Sequence, residues 1–208
     1  MLMQKLLRKF LQAYLYRRMI KEVVMYHTID IAGKKRDLKL FKVADDLQIA
    51  AFIMYGDVEI TEHAARELLA RAPEFDIILT AASKSIPIAY EMAKQADCEY
   101  VVALKSKKVY MGEEPISVTV NSITTLTSQY LYLGEDEVAK LKGKRVLIVD
   151  DVISTGNSLK ALISLAEKSE ATIVDRMAVL AEGDAYDRTD ITVLGKLPLF
   201  DGEGNVIK

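Results

Sequence analysis

Short apolar segments alternate with helical segments over most of the chain. Residues 75–80 and 145–149 are short and mainly apolar, the pattern of parallel strands buried on both faces. β-Branched and aromatic residues predict further strands at 23–31, 38–43, 48–54, 100–104, 116–123, 129–133 and 172–180. Helical spacing predicts helices at 61–69, 86–96, 135–141 and 156–168. The alternation predicts an α/β domain around a largely parallel sheet, with its ligand site at the carboxyl ends of the strands.

The first two dozen residues have a different pattern. Met3, Leu7, Phe10 and Tyr14 recur at helical spacing with basic residues between them, which predicts an amphipathic helix over residues 2–21. A basic amphipathic helix can lie on a membrane surface. It can also dock on its own domain or on a partner subunit, the interpretation we favour. The chain is therefore divided into a helical extension, 1–25, and one domain, 26–208.

Composition excludes several classes of protein. The 28 basic and 30 acidic residues give a net charge of −2, which argues against a general nucleic-acid coating protein. Cys98 is the only cysteine and His27 and His63 the only histidines, so neither a disulfide framework nor a multi-histidine metal centre can be built. No apolar stretch approaches the roughly 20 residues of a membrane span. We expect a cytoplasmic protein.

The segment 146–156, VLIVDDVISTG, carries the clearest chemical signal. Asp150 and Asp151 stand where the predicted strand ends, and a turn at 152–155 leads to Gly156 and a new helix. Backbone N–H groups of such a turn and of a helix N-terminus bind anions, and Ser154 and Thr155 add hydroxyl donors. Paired carboxylates suit neighbouring hydroxyl groups, or magnesium bound to them. A phosphate at one end and a diol at the other indicate a sugar phosphate.

Three other interpretations compete for this segment. An ordinary β-turn-α unit with acidic surface residues is the simplest. A response-regulator receiver also has an acidic pair after a strand, but near the start of its domain rather than at position 150. Neither G-x-x-x-x-G-K-[ST] nor a G-x-G-x-x-G following a strand occurs, so the usual nucleotide fingerprints are missing.

The same segment resembles the signature of the type I phosphoribosyltransferases, which bind phosphoribosyl pyrophosphate (PRPP). The resemblance implies a mainly parallel α/β core at about 57–180, flanked by helices, with a small hood formed by 26–56 and 181–208. It implies that Asp150 and Asp151 face the ribose hydroxyls and hold Mg²⁺ indirectly. It also implies that the 5′-phosphate is bound by Val152, Ile153, Ser154, Thr155, Gly156 and Asn157.

Two weaker similarities extend the resemblance. TAASKSIP, residues 80–87, is similar to the family's pyrophosphate loop, which would consist of Ala82, Ser83, Lys84 and Ser85. Purine-type members usually have an acidic residue near position 82 and glycine near 85, so this chain departs from the pattern. The basic start of residues 105–129 is similar to the flexible loop of the adenine and xanthine members. There Lys105, Lys107 or Lys108 would offset pyrophosphate charge, and we assign Lys105 and Lys107 as catalytic together with the two aspartates.

The resemblance implies a purine phosphoribosyltransferase that makes a nucleoside 5′-monophosphate and pyrophosphate from a purine base and PRPP with Mg²⁺. We expect no nucleic-acid partner. GKKRDL (33–38) and LPLF (197–200) faintly resemble adenine-type members, so adenine is favoured, and AEGD (181–184) lacks the lysine of xanthine members. A homodimer is expected from the family. The alternative is a PRPP-sensing regulator with weak catalysis, which the departures at Ala82 and Ser85 favour.

Overall fold

The computed structural model describes residues 24–120 and 129–208. The predicted helix at 2–21 and the last residues of the predicted strand at 116–123 lie outside the described residues. The strands and helices are, in chain order, β1 (Tyr26–Ile31), β2 (Lys34–Ala44), β3 (Leu47–Ala50), α1 (Val58–Leu69), β4 (Ile77–Ala81), α2 (Ile86–Ala96), β5 (Glu99–Ala103), β6 (Ile116–Val120), β7 (Gln129–Leu133), α3 (Glu135–Leu141), β8 (Arg145–Ile153), α4 (Asn157–Lys168), β9 (Thr172–Glu182), β10 (Thr192–Leu197) and β11 (Leu199–Phe200).

The central sheet has five strands in the order β10-β9-β8-β4-β5, and every neighbouring pair is parallel. Side chains of β8 alternate between its two faces. Leu147 and Val149 pack in the apolar layer that includes α1 and α2, while Val146 and Ile148 pack in the layer that includes α4. All four are fully buried. The predicted α/β fold with a mainly parallel sheet flanked by helices is confirmed.

A second, smaller sheet is antiparallel and has the order β1-β2-β3-β11. Its buried face, with Leu38, Leu40 and Phe200, packs in the same apolar layer as α1 and α2. The segment 181–208 is divided between the sheets, because β10 extends the central sheet and β11 joins the small one. A hairpin of β6 and β7 completes the described strands.

Several boundaries differ from the sequence-based expectation. β8 continues to Ile153, since its pairing with β9 extends to Ile153 opposite Ala181. Asp150 is therefore inside the strand, and the turn predicted at 152–155 begins only at Ser154. β3 ends at Ala50 rather than at residue 54. α1 begins before Thr61, because Asp57 is its N-cap and accepts a hydrogen bond from the Ile60 N–H at 3.2 Å.

The pattern also missed β10, whose sequence TVLGKL mixes apolar residues with Gly195 and Lys196. β10 forms a strand because it pairs with β9, although the composition of β10 alone does not predict a strand. Within the described residues, no helix is long and apolar enough to cross a membrane.

Candidate active site

A cavity of about 420 Å³ opens where β4 and β8 end at their carboxyl termini. This edge is where parallel α/β sheets bind ligands, because the connections to the following helices leave a crevice there. Its walls come from both sheets and from the hairpin, and they consist of residues 49–53, 81–85, 105, 130–131, 150–152, 154, 158, 182 and 197.

The acidic pair, Asp150 and Asp151, forms the floor of this cavity. Both side chains are buried, with 8% and 7% of their surface exposed. Asp150 Oδ1 accepts a hydrogen bond from the Asp151 N–H at 2.9 Å. Burial, followed by the adjacent Asp151 charge, raises the pKa of Asp150, and a hydrogen bond from Ser85 partly opposes that rise. The pair is poised to accept hydrogen bonds or a cation that would compensate its buried charge.

Two buried hydroxyl groups tie the end of β4 to β8. Thr80 Oγ1 lies 2.7 Å from the Val149 carbonyl oxygen and 2.8 Å from Ser85 Oγ. Ser85 Oγ in turn lies 2.7 Å from the Ala81 carbonyl oxygen. Thr80 thus connects Ser85, just before α2, to Val149 in the strand that carries the acidic pair. These contacts hold the start of α2 against β8.

Residues 154–158, called the phosphate turn below, connect β8 to α4. Gly156 has a φ of +76°, a left-handed conformation that favours glycine, and α4 begins at Asn157. A hollow of about 90 Å³ lies beside this turn, and its lining includes the exposed Ser154 and Thr155. Val152 and Ile153 also line the hollow, although they belong to β8 and not to the turn as predicted. The first N–H groups of α4 and the hydroxyls make this hollow suited to a phosphate.

The pyrophosphate loop, Ala82–Ser85 by sequence prediction, follows β4 and lines the main cavity. Ser83 Oγ accepts a hydrogen bond from the Tyr55 hydroxyl at 2.6 Å. The peptide bond between Ala82 and Ser83 is cis. Lys84 is exposed and forms no ion pair with any residue that the structure describes. Its ammonium group is therefore available to an anionic ligand.

The lysines after β5 separate into two groups. Lys105 lines the cavity, whereas Lys107 and Lys108 do not. Lys107 Nζ donates to the Glu113 carbonyl oxygen at 3.2 Å, which holds it against its own loop near the short 3₁₀ helix Val109–Met111. In this structure Lys107 is thus not brought to the cavity with the other predicted site residues.

Sequence reasoning missed most of the apolar wall. Phe52 and Ile53, which follow β3, and Leu197, the last residue of β10, line the cavity. Apart from the resemblance noted for residues 197–200, nothing local in the sequence marks them. Glu182 ends β9 and also lines the cavity. The sequence comparison with xanthine members points to the segment 181–184 but not to Glu182 itself. The position of Glu182 at the carboxyl end of a buried strand is the signal that distinguishes it. An apolar wall facing polar groups is suited to one face of an aromatic ring.

The donor set fits magnesium that arrives with a phosphate. Carboxylate oxygens are hard ligands, and Mg²⁺ is usually held by one or two of them together with substrate phosphates and water. Asp150 and Asp151 provide such a pair. Elsewhere too in the described ranges, 24–120 and 129–208, no group of three or more His, Cys, Asp or Glu side chains is arranged to hold a metal.

Comparison of the sequence with known proteins agrees with this geometry. Residues 55–196 match the phosphoribosyl transferase domain family. A hypoxanthine/guanine phosphoribosyltransferase of Methanococcus voltae is 40% identical over 146 residues, covering 70% of this chain and 71% of the relative. One of Methanothermococcus okinawensis is 35% identical over 136 residues, covering 62% and 70%.

Comparison of structures finds the same fold. The adenine phosphoribosyltransferase of Thermoanaerobacter pseudethanolicus superposes with a TM-score of 0.59 at 22% identity, covering 83% of this chain and 96% of that one. The enzyme of Saccharomyces cerevisiae gives a TM-score of 0.57 at 20% identity, covering 82% and 93%. The matched family segment includes the acidic pair, the phosphate turn and the pyrophosphate loop. This chain is therefore an enzyme of the type I phosphoribosyltransferase family, in its purine branch.

Proposed function

We propose that this protein transfers ribose 5-phosphate from PRPP to a 6-oxopurine base, hypoxanthine or guanine. The observation that carries the proposal is the meeting of three features in one cavity: the acidic pair, the loop with Lys84, and the phosphate turn beside it. Each suits one part of PRPP, namely the ribose hydroxyls, the pyrophosphate and the 5′-phosphate.

The choice of base rests on three arguments, of which two come from the relatives and from the segment 33–38. The relatives with the higher sequence identity, 40% and 35%, are hypoxanthine/guanine enzymes, while the adenine enzymes, at 22% and 20% identity, support the fold alone. The segment 33–38, whose resemblance favoured adenine, contacts α1 and not the cavity. Lys34 forms an ion pair with Glu59, and Arg36 forms ion pairs with Asp57 and Glu59, at the start of α1. None of these residues lines the cavity.

Glu182 adds a chemical reason for a 6-oxopurine. A carboxylate can only accept hydrogen bonds when it is ionised. Hypoxanthine and guanine carry an N–H at ring position 1, where adenine carries an acceptor nitrogen. A base stacked on Phe52 and Leu197 in the same cavity could present this N–H to Glu182, whereas adenine could offer Glu182 only its exocyclic amino group.

In the proposed reaction the bond from ribose C1′ to pyrophosphate oxygen breaks and a bond from C1′ to a base nitrogen forms. The base loses its N–H proton to solvent, and pyrophosphate leaves with the electron pair of the broken bond. Asp150 and Asp151 orient the ribose and face the positive charge that develops on it, while Lys84 and Lys105 stabilise the leaving group. When bound, Mg²⁺ supplies further neutralisation of the pyrophosphate charge.

The test is pyrophosphate release from PRPP with Mg²⁺ and guanine, hypoxanthine or adenine in turn. We expect turnover with both 6-oxopurines and at least tenfold lower kcat/KM with adenine. Asp151→Asn should weaken PRPP binding by roughly 10- to 150-fold, because a charge-assisted contact to the ribose is lost. Asp136→Asn, an exposed change in α3 away from the cavity, is the matched control.

Two results would contradict the proposal. Turnover with adenine at a higher kcat/KM than with either 6-oxopurine would restore the original expectation about the base. PRPP binding measured by calorimetry, without pyrophosphate release for any base, would favour the PRPP-sensing regulator instead.

A further inference from the structure

The phosphate turn has an imbalance of charge. Its residues are Ser154, Thr155, Gly156, Asn157 and Ser158, none of which is cationic. A phosphate monoester carries close to two negative charges at pH 7, and a helix N-terminus offsets only about half of one charge. The acidic pair at the end of β8 adds negative charge nearby. Neutral donors alone therefore leave a bound 5′-phosphate without a counter-charge.

Arg188 lies directly against this turn, although it is 32 positions beyond Gly156 in the sequence. An ideal Cβ built on Gly156 would be 2.6 Å from Arg188 Nη1. The guanidinium thus occupies the space that a side chain at position 156 would need. Glycine at this position allows the approach as well as the left-handed backbone.

The orientation of Arg188 is fixed from its other side. Nε and Nη2 donate to the two carboxylate oxygens of Asp190 at 2.8 and 2.7 Å, a bidentate ion pair that holds the guanidinium plane. The side chain of Arg188 is 28% exposed. Nη1 donates to no residue in the described parts of the chain. Its two N–H groups are left facing the turn.

We infer that Arg188 is a binding residue for the 5′-phosphate and that Asp190 is the positioning residue that orients it. The inference rests on the proposed function, since it names a further contact to the same substrate. Arg188 supplies the missing positive charge through Nη1, and the Asp190 pair fixes its direction before the ligand arrives. Preorganised charge of this kind strengthens binding because little side-chain entropy remains to be lost.

The test uses ribose 5-phosphate and pyrophosphate as separate probes, titrated into the full chain by calorimetry. Arg188→Gln should weaken ribose 5-phosphate binding by roughly 10- to 100-fold, the loss expected for a charged hydrogen bond. Pyrophosphate binding should stay within about twofold of the parent. Arg188→Lys should recover part of the loss, because lysine restores the positive charge but lacks the planar guanidinium that donates two parallel hydrogen bonds. Asp190→Asn should give an intermediate loss.

The matched control is Arg66→Gln, which removes an arginine whose ion pair with Glu62 lies on the surface of α1. Its binding of both probes should equal that of the parent. Unchanged ribose 5-phosphate binding in Arg188→Gln would overturn the inference, as would a loss confined to pyrophosphate. Should Arg188→Gln fail to fold, unchanged affinity in both Arg188→Lys and Asp190→Asn would overturn it in the same way.

The two proposals fail in different ways. A parent protein that releases no pyrophosphate with any base contradicts the proposed reaction. If ribose 5-phosphate binding in that protein still depends on Arg188, the inference about this arginine stands.

Discussion

At the scale of single residues, the buried Asp150 carboxylate in the candidate site lowers the stability of the free protein when it is ionised. The Asp150 carboxyl group is buried, and its Oδ1 accepts the Asp151 N–H. Burial and the neighbouring charge raise its pKa above the ordinary value of 3.8. Ionising it in the free protein costs free energy that a bound ribose or cation would return. Such strain is common where a group is kept for binding rather than for stability.

Asp150→Asn should therefore stabilise the free protein and weaken PRPP binding. A raised pKa means that the carboxyl's contribution to stability is full below pH 3.8 and is lost as pH rises through the folded-state pKa. Asparagine avoids this loss while keeping an acceptor for the Asp151 N–H. At pH 7 we expect a gain of about 1 kcal/mol, or roughly 2–4 °C in Tm.

The measurement is thermal unfolding at pH 7 and pH 4, with calorimetric titration of PRPP at pH 7. The gain in Tm should shrink toward pH 4, because the destabilisation that a raised pKa causes decreases as the pH falls toward 3.8. An equal gain at both pH values would show that ionisation of Asp150 is not its cause.

Asp76 provides the opposite case at the other end of β8. It accepts hydrogen bonds from the Arg145 backbone N–H and from Arg145 Nη2, both at 2.8 Å, and these contacts lower its pKa to about 2. A lowered pKa gives stability that is present above pH 3.8 and is lost as pH falls toward 2. Asp76→Asn should be less stable than the parent at pH 7, and the difference should shrink as pH falls toward 2.

Urea unfolding between pH 2 and pH 7 checks this expectation. Glu74→Gln is the matched control, because Glu74 also pairs with Arg145 at 2.8 Å but its side chain is 90% exposed. We expect a smaller loss for Glu74→Gln. A stability difference between Asp76→Asn and the parent that is as large at pH 2 as at pH 7 would argue against the pKa as its origin.

At the scale of elements, the site is built from loops that follow β4, β5 and β8. Each strand ends at the same edge of the sheet, so residues far apart in sequence line one cavity. The loops differ in whether their lysine side chains are free to bind a ligand. Lys84 has no ion-pair partner in the described residues, whereas Lys107 is held by its own loop.

Lys84→Ala should weaken pyrophosphate binding by about tenfold and leave GMP binding nearly unchanged, since GMP has a 5′-phosphate but no pyrophosphate. Lys107→Ala is the control, because it removes the same charge from a position outside the cavity. Isothermal titration with each ligand measures the effect. Equal losses for both ligands in Lys84→Ala would indicate a disturbed fold, and a loss in Lys107→Ala would mean that its loop moves when ligand binds.

At the scale of the whole molecule, the small sheet has one face without cover among the described residues. Tyr26 pairs with Lys39, and Phe41 follows on the same face of β2. The side chains of Tyr26 and Phe41 are 59% and 45% exposed. An exposed aromatic surface at the start of the domain is suited to bind an apolar helix or a second copy of the chain.

The prediction for residues 1–21 follows from this surface. An isolated amphipathic helix is marginal in water, so it should contact protein. Deleting residues 1–21 should lower solubility or shift the protein toward monomer, as measured by light scattering of full-length and truncated protein. Flotation with anionic vesicles is the companion experiment. An unchanged oligomer together with vesicle binding that requires residues 1–21 would favour a membrane-surface helix.

The sequence by itself determined the features that depend on neighbouring residues. The apolar run of β8, the acidic pair and the glycine before α4 lie within a dozen positions, and their physical chemistry is local. The alternation of strands and helices likewise predicted the class of fold, because burial on both faces of a parallel strand leaves a continuous apolar pattern. The general position of the ligand site followed from that fold.

Only the tertiary structure decided which distant residues join the site. β8 and β9 extend beyond their apolar runs because they pair with each other, and β10 is a strand because β9 lies beside it. Leu197 reaches the cavity, and Arg188 reaches Gly156, only through the order of strands in the sheet. Lys105 and Lys107 are two positions apart in the same basic run, but only Lys105 lines the cavity, while Lys107 Nζ donates to the Glu113 carbonyl oxygen. Such pairings depend on how the elements pack across the sheet, which local pattern does not encode.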